Sequence, residues 1–292
     1  MIAAFGSINA DVIVPLPALP RPGETVLGGD YAVLPGGKGA NQALAARRAG
    51  AEVAMIGAVG DDAFAAAALE LLRRDGVDLA LVRRVARPTG CALIMVGGDG
   101  ENLIAVAPGA NAAVEAAQVP DALLGPGTVV LAQMEVPPAE TAALVRRARA
   151  RGAASVLNLA PAGPFDPDAL AALDLLVVNA GEAAALDEAP ETLARRLRRG
   201  LVVTRGATGA TAFLTAGGRI EVPALAMSPV DTTGAGDTFA GVLAAGLDAG
   251  LPLDGALRRA SAAAGLACLA LGAQSAMPDR AAIDAAVARL PV

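Results

Sequence analysis

The 292-residue sequence contains no histidine, no tryptophan, a single tyrosine (Tyr31), two cysteines, and one lysine, Lys38, among its 23 basic residues. Without histidine there is no Ser/His/Asp triad, no imidazole proton shuttle and no zinc site built on His. Acid–base work must fall to carboxylates, to Lys38 or to Tyr31. Cys91 and Cys268 are too few and too far apart for a disulfide framework or a CxxC metal site. Both read as small core residues of a reduced, cytoplasmic protein. Positive charge is scarce as well: a formal net charge of −6 argues against nucleic acid or an anionic membrane surface as partner. The cluster Arg195, Arg196, Arg198 and Arg199 reads as a solvated helix face.

Membrane signals are weak. No basic region precedes the first apolar run and Asp11 interrupts it, so no signal peptide is expected. Residues 260–278 carry no charge over transmembrane length. They are mostly Ala and Gly, include Ser261, Gln274 and Ser275, and fit a buried helix ending near Gly272.

What is plentiful is apolar residue, 54% against 18% charged, enough for a sizeable core. Strand-length apolar runs alternate with helical stretches. Strands are expected over Ile2–Phe5, Val53–Val59, Thr128–Ala132, Ser155–Leu159, Leu175–Val178 and Leu201–Thr204. Helices are expected from about Gly39, over Ala63–Arg74 and over Ala139–Ala150. Continuous runs such as Val129-Val130-Leu131 suit strands covered on both faces. The expected architecture is therefore α/β, a doubly wound, mainly parallel central sheet flanked by helices, in one domain spanning 1–292. Val12–Val14 with Glu24–Leu34, and Cys91–Val96 with Leu103–Ala107, read instead as strand pairs without intervening helices. They would form a small β-sheet lid from about 12–34 and 91–107. The C-terminal third reads as three helices, about 236–249, 253–271 and 279–290.

Two loops carry chemistry. In Gly36-Gly37-Lys38-Gly39-Ala40-Asn41-Gln42, glycines let the backbone approach a ligand and a helix N-terminus offers unpaired N–H groups. It is not a P-loop, because glycine follows the lysine where Ser or Thr should hold magnesium. An ordinary glycine turn before a helix is the plainer alternative, weakened by the placement of the only lysine there. A compact, rotatable ammonium suits a sugar hydroxyl or phosphate. In Asp231-Thr232-Thr233-Gly234-Ala235-Gly236-Asp237-Thr238-Phe239-Ala240-Gly241, small residues at a helix start leave amides free to meet the charge on a transferring phosphoryl group. Asp237 reads either as the base for an attacking alcohol or as a helix N-cap. The run is not GxGxxG, since Phe239 takes the third glycine place.

These loops, with Gly6-Ser7-Ile8-Asn9-Ala10-Asp11, Pro22-Gly23-Glu24-Thr25, Glu101–Ile104 through Gly109-Ala110-Asn111, Gln133-Met134-Glu135 and Asn158–Ala162, resemble the ribokinase/PfkB family of carbohydrate kinases over essentially the whole chain. The resemblance implies a ribokinase-like fold and ATP-dependent phosphorylation of D-ribose at its 5-hydroxyl. It implies that Asn9, Asp11, Gly37, Lys38, Gly39, Asn41 and Glu135 bind the sugar, that Asp237 is the base, and that the amides of Gly234, Ala235 and Gly236 form an anion hole. Asn179 and Glu182 match the N-x-x-E motif near Mg²⁺ and the phosphates. Thr204, Arg205, Gly206 and Gly209 match the nucleotide loop, with Gly236 and Ser261 also on the ATP side. Asp231, with Thr233, Ala267, Ala270, Gly272 and Ala276, matches a monovalent-cation site, usually K⁺. The resemblance also implies a homodimer formed through the lid. Two positions depart from the family pattern: Ala180 follows Asn179, and Ser261 stands where a His is frequent.

The polar set Asn9, Asp11, Lys38, Asn41 and Glu135 favours a free pentose, whereas a nucleoside site wants an aromatic platform. Read alone, Glu135 is also compatible with a partly exposed strand-end carboxylate. Rival readings are a related kinase of deoxyribose, another sugar or a nucleoside, and a non-catalytic sugar-binding regulator. An NAD enzyme is disfavoured because no GxGxxG follows a strand.

Overall fold

The structure, a computed structural model, describes residues 1–186 and 188–291. From the N-terminus run β1 (Ile2–Phe5), β2 (Asn9–Pro15), β3 (Ala32–Gly36), α1 (Lys38–Arg48), β4 (Val53–Val59), α2 (Ala63–Ala68), α3 (Glu70–Arg74), β5 (Asp78–Arg84), β6 (Gly90–Val96) and β7 (Asn102–Ala107). Short 3-10 turns lead to β8 (Val129–Ala132), α4 (Pro138–Arg151), β9 (Ala154–Asn158), α5 (Pro167–Ala172), β10 (Leu175–Asn179), α6 (Ala180–Ala184) and α7 (Pro190–Arg196). The chain closes with β11 (Gly200–Thr204), β12 (Ala210–Leu214), β13 (Arg219–Val222), α8 (Ala235–Asp248), α9 (Leu253–Ala267) and α10 (Arg280–Val287).

Nine strands form one sheet in the order β13-β12-β11-β10-β9-β8-β1-β4-β5. All neighbours pair in parallel except β11–β12 and β12–β13. Residue alternation explains why both faces are covered. Ile2 and Ala4 pack with Leu44, Val242 and Leu257 of α1, α8 and α9, while Ala3 and Phe5 pack with Leu144 and Ala148 of α4 on the other face. The strand order reverses at β1 and β8, and such a switch point opens a crevice at the carboxyl ends of the strands.

The second sheet, β3-β2-β6-β7, joins β2 and β6 in parallel and pairs β3 and β7 antiparallel at its edges. Only Gly6, Ser7 and Ile8 separate β1 in the large sheet from β2 in the small one. Every residue of β7 is exposed, Ile104 at 57% and Val106 at 51%.

Several boundaries differ from the sequence expectation. Residues 24–31 form no strand, because Gly23, Gly28 and Gly29 and the prolines before them interrupt pairing, and Tyr31 is exposed. The helix expected over Ala63–Arg74 breaks at Leu69 into α2 and α3. The helix expected to reach 271 stops at Ala267. The Cys268 carbonyl turns to accept from the Val230 and Asp231 N–H groups, and Leu271 is exposed rather than buried. Cys268 is buried, but Cys91 lies half-buried on the small sheet rather than in the core. Arg198 and Arg199 lie beyond the end of α7, and Arg198 pairs with Asp174 at 2.9 Å. No helix among the described residues is long and apolar enough to cross a membrane.

Candidate active site

Helices α1 and α8 bring the two glycine loops together at the switch point. Gly37, with φ 88°, caps α1 so closely against the preceding strand connection that a Cβ there would sit 2.7 Å from Asn9 N. Gly241 lets α8 lie directly on α1: a Cβ would collide with the Gln42 carbonyl oxygen. This close approach places the first turn of each helix beside the other.

The centre of the arrangement is Asp237, in the first turn of α8 and 7% exposed. Its Oδ2 accepts from Asn41 Nδ2 and its Oδ1 from Gln42 Nε2, both at 2.9 Å. Hydrogen bonds to a charged group contribute about 1.5–3 kcal/mol each, which offsets part of the desolvation of a buried carboxylate. Gln42 Nε2 also donates to Asn158 Oδ1 at 3.0 Å, and Gln42 Oε1 accepts from Gln133 Nε2 at 2.9 Å. On the other side Asn41 Oδ1 accepts from Gln274 Nε2 at 3.0 Å. The remaining oxygens of Gln133 and Gln274 are buried without a partner among the described residues.

A second cluster sits between β1, α1 and the end of β8. Glu135 Oε2 accepts from Ser7 Oγ at 2.6 Å and from the Lys38 N–H at 3.0 Å. Ser7 Oγ in turn accepts from the Gly39 N–H. Asn9 Oδ1 accepts from Asn111 Nδ2 at 2.7 Å, and Asn111 Oδ1 accepts from the Ile8 N–H, which ties β2 to the turn after β7. The Asp11 carboxylate packs over Gly36, where a side chain would collide with it. Burial raises Asp11 from 3.8 to about 6, and the charges of Glu135 and Asp237 push it the same way. The charge of Asp237 holds Lys38 above its ordinary value, against burial, with Glu135 and Glu182 adding to it. Neither the Lys38 ammonium nor the Asp11 carboxylate has a hydrogen-bond partner among the described residues, so both are available to a ligand.

Beyond Asp237 a cleft of about 130 Å³ is lined by Lys38, Asn158, Asn179, Glu182, Thr204 and Gly236, among others. It shares Thr204 and Gly236 with an adjoining, mainly apolar pocket of about 230 Å³ that includes Gly206, Gly209, Leu225 and Ser261. Asn179 and Glu182 cap α6 reciprocally: Glu182 Oε2 accepts from the Asn179 N–H, and Asn179 Oδ1 from the Glu182 N–H, both at 2.7 Å. The second carboxylate oxygen of Glu182 remains for a hydrated cation, the donor chemistry that Mg²⁺ requires. Arg205 is exposed and lies outside the walls of both pockets. The Ser261 hydroxyl donates to the Pro223 carbonyl at 2.6 Å rather than facing the pocket unpaired.

Gly234, with φ 74°, starts α8 against Ala273, and the Ala235 N–H donates to the Thr232 carbonyl at 3.2 Å. The N–H groups of Gly236 and Asp237 have no partner among the described residues and open on the cleft. Asp231 is bound within its own loop, its Oδ1 accepting from Thr233 N and Oγ1 and its Oδ2 from the Gly272 N–H at 2.8 Å. Against burial, these bonds hold Asp231 below the usual carboxylate range. The carbonyls of Ala267, Ala270, Gly272 and Ala276 accept no hydrogen bond from the described residues.

The structure thus gathers Asn9, Asp11, Lys38, Asn41, Glu135 and Asp237 at the switch point and aligns Asn179, Glu182 and Thr204 along one cleft. Sequence reasoning missed Gln42, Asn111, Gln133, Asn158 and Gln274 as parts of the site. The available signal was weak: an amide ending an apolar strand run, as in Leu131-Ala132-Gln133, marks a buried polar group that needs a partner.

Known proteins share this fold. A ribokinase of Bacillus subtilis is 36% identical over 285 residues, covering 96% of each chain. A ribokinase structure from Thermotoga maritima superposes with a TM-score of 0.91 at 28% identity, covering 99% of both chains. A ribokinase of Arabidopsis thaliana, solved with ribose and ATP, gives a TM-score of 0.90 at 31% identity over 98% of each. Residues 1–280 match the family described as pfkB family carbohydrate kinase, and the chain belongs to that family.

Proposed function

We propose that the protein phosphorylates D-ribose at the 5-hydroxyl with ATP, releasing ribose 5-phosphate and ADP. The observation that carries this reading is the Asp237 carboxylate, buried at the start of α8 with both oxygens held and lining the cleft that adjoins the apolar pocket. The relatives described above support ribose as the sugar.

The sugar lies against Asn9, Asp11, Lys38, Asn41 and Glu135, with the backbone of Gly37 and Gly39 at its edge. A pocket of hydrogen-bonding groups rejects analogues that leave those groups unpaired. ATP occupies the pocket of Gly206, Gly209 and Ser261, with its phosphates running past Thr204 toward Lys38. Asp237 takes the proton of the sugar hydroxyl as its oxygen attacks the terminal phosphorus, and the amides of Gly234, Gly236 and Asp237 meet the charge on the transferring group. Bound with the nucleotide, Mg²⁺ neutralises phosphate charge. Asn179 and Glu182 would hold it there. The loop of Asp231, Thr233, Ala267, Ala270, Gly272 and Ala276 takes K⁺. The small sheet acts as a lid that keeps water, a competing acceptor, from the phosphoryl group.

One domain spanning the chain carries these parts. The exposed apolar residues of the lid, Leu93 and Leu103 on one face and Ile104 and Val106 on the other, support pairing of two copies. The two free cysteines fit a cytoplasmic setting. A coupled ADP-release assay over ribose, deoxyribose, hexoses and nucleosides, with and without K⁺, tests the proposal. Ribose with K⁺ should give the highest kcat/KM, and a nucleoside outperforming ribose would sink the substrate assignment.

A further inference from the structure

The hydrogen bonds around Asp237 all run in one direction. Gln42 and Asn41 each turn their N–H group to the carboxylate and their carbonyl away from it. Those carbonyls accept from Gln133 and Gln274, which likewise turn their N–H groups inward. At the outer ends Gln133 Oε1 and Gln274 Oε1 are buried and have no partner among the described residues. A buried carbonyl without a donor lowers stability, and an apolar side chain at either place would avoid that loss. Every donor is thus placed on the side facing Asp237, while the unsatisfied atoms lie on the side away from it.

The second branch is also clamped. Arg48, two turns after Asn41 on α1, donates to the carbonyls of Gln274 and Met277 at 2.6 and 2.9 Å, and is itself paired with Asp75. One helix therefore holds both the backbone and the side chain of Gln274.

We propose that Gln42 and Gln274 are positioning residues for phosphoryl transfer. Gln42 acts directly on Asp237 Oδ1, and Gln274 acts through Asn41 on Oδ2. Together they keep the carboxylate aimed as an acceptor at the sugar hydroxyl. In the transfer the hydroxyl O–H bond breaks and its proton passes to Asp237. The freed oxygen electron pair bonds the terminal phosphorus as its bond to the ADP oxygen breaks. The two amides that touch Asp237 offer the new O–H no acceptor, so its proton stays on the cleft side. This inference rests on Asp237 being the base and adds the residues that orient it.

The test uses the purified full chain with ribose and ATP. Gln42→Leu should lower kcat by about tenfold to a hundredfold, the scale of a hydrogen bond to a charged group, with both KM values within about twofold, because among the described residues the Gln42 side chain hydrogen-bonds only Asp237, Asn158 and Gln133. Gln274→Met removes one donor, whereas Gln274→Glu adds an acceptor that draws the Asn41 N–H away from Asp237. The Glu variant should therefore be several-fold slower than the Met variant at an equal KM for ATP. Wild-type kcat in Gln42→Leu, or equal kcat in the two Gln274 variants, overturns the proposal. Should Gln42→Leu fail to fold on thermal melting, the Gln274 pair decides it alone. Asp237→Asn is measured in parallel. If that variant turns over normally the base assignment itself falls, whereas a slow Asp237→Asn beside a normal Gln42→Leu removes only the positioning role.

Discussion

The floor of the cleft and the small sheet above it use the same kind of residues to opposite ends. On the floor, α1 and α8 bury nearly all of their facing residues, and the polar groups among them are held by one another. In the small sheet every residue of β7 is exposed, and the outer edge of that strand has no partner among the described residues. Burial fixes a carboxylate to within a hydrogen bond, while an uncovered sheet keeps surface in reserve for closure or for a partner. The floor thus carries the proposed chemistry, and the small sheet carries the uncovered apolar surface.

The strongest way to break this contrast is at the floor. Asp237→Asn should lower kcat by about 10² to 10⁴, the range for loss of a general base, while calorimetry still detects ribose binding. A loss below tenfold would place the reacting group elsewhere. A smaller effect sharpens the boundary between the two regions, where Asp11 rides on β2. Its carboxyl, raised to about 6, is ionised at pH 7.5 and largely protonated at pH 5. The ribose KM should therefore rise about threefold or more on acidification, as the carboxylate loses acceptor capacity, and Asp11→Asn should flatten that profile. Because the folded value lies above the ordinary one, the contribution of Asp11 to stability is present below about pH 4 and is lost as pH rises through 6. A melting series across that window in wild type and Asp11→Asn checks the sign. The smallest effect belongs to the lid. Ile104→Asp, on an exposed position, should shift the melting midpoint by only about 1–2 °C yet reduce the mass measured by light scattering to that of one chain. An unchanged mass would show that the apolar face serves closure rather than pairing.

The sequence made the parallel strands legible because runs such as Val53–Val59 are apolar without interruption, and only a strand covered on both faces needs that. It hid β5, whose Asp78, Arg83 and Arg84 mix with Leu79 and Leu81 at the sheet edge, and β12 and β13, which end the sheet antiparallel. The two glycine loops were legible because backbone approach restricts residue choice locally. The amides around Asp237 were not: Gln42, Gln133, Asn158 and Gln274 come from four separate segments, and no spacing along a chain encodes a hydrogen bond across 233 residues. The end of α9 was misread for a similar reason, since the groups that capture the Cys268 carbonyl belong to Val230 and Asp231.

The three-residue passage from β1 to β2 has a consequence for molecular selection. It divides the groups proposed to face the sugar, leaving Asn9 and Asp11 on the small sheet, and Asn41 on α1, Glu135 after β8 and Asp237 on α8, all carried by the large sheet and its helices. A sugar held by both sets acts as a strut, and its length sets the gap. A shorter polyol leaves the roof ajar for water, and a longer one props it open. On the proposed closure, the length of the sugar is gauged between the two sheets, at the residues where one turns into the other.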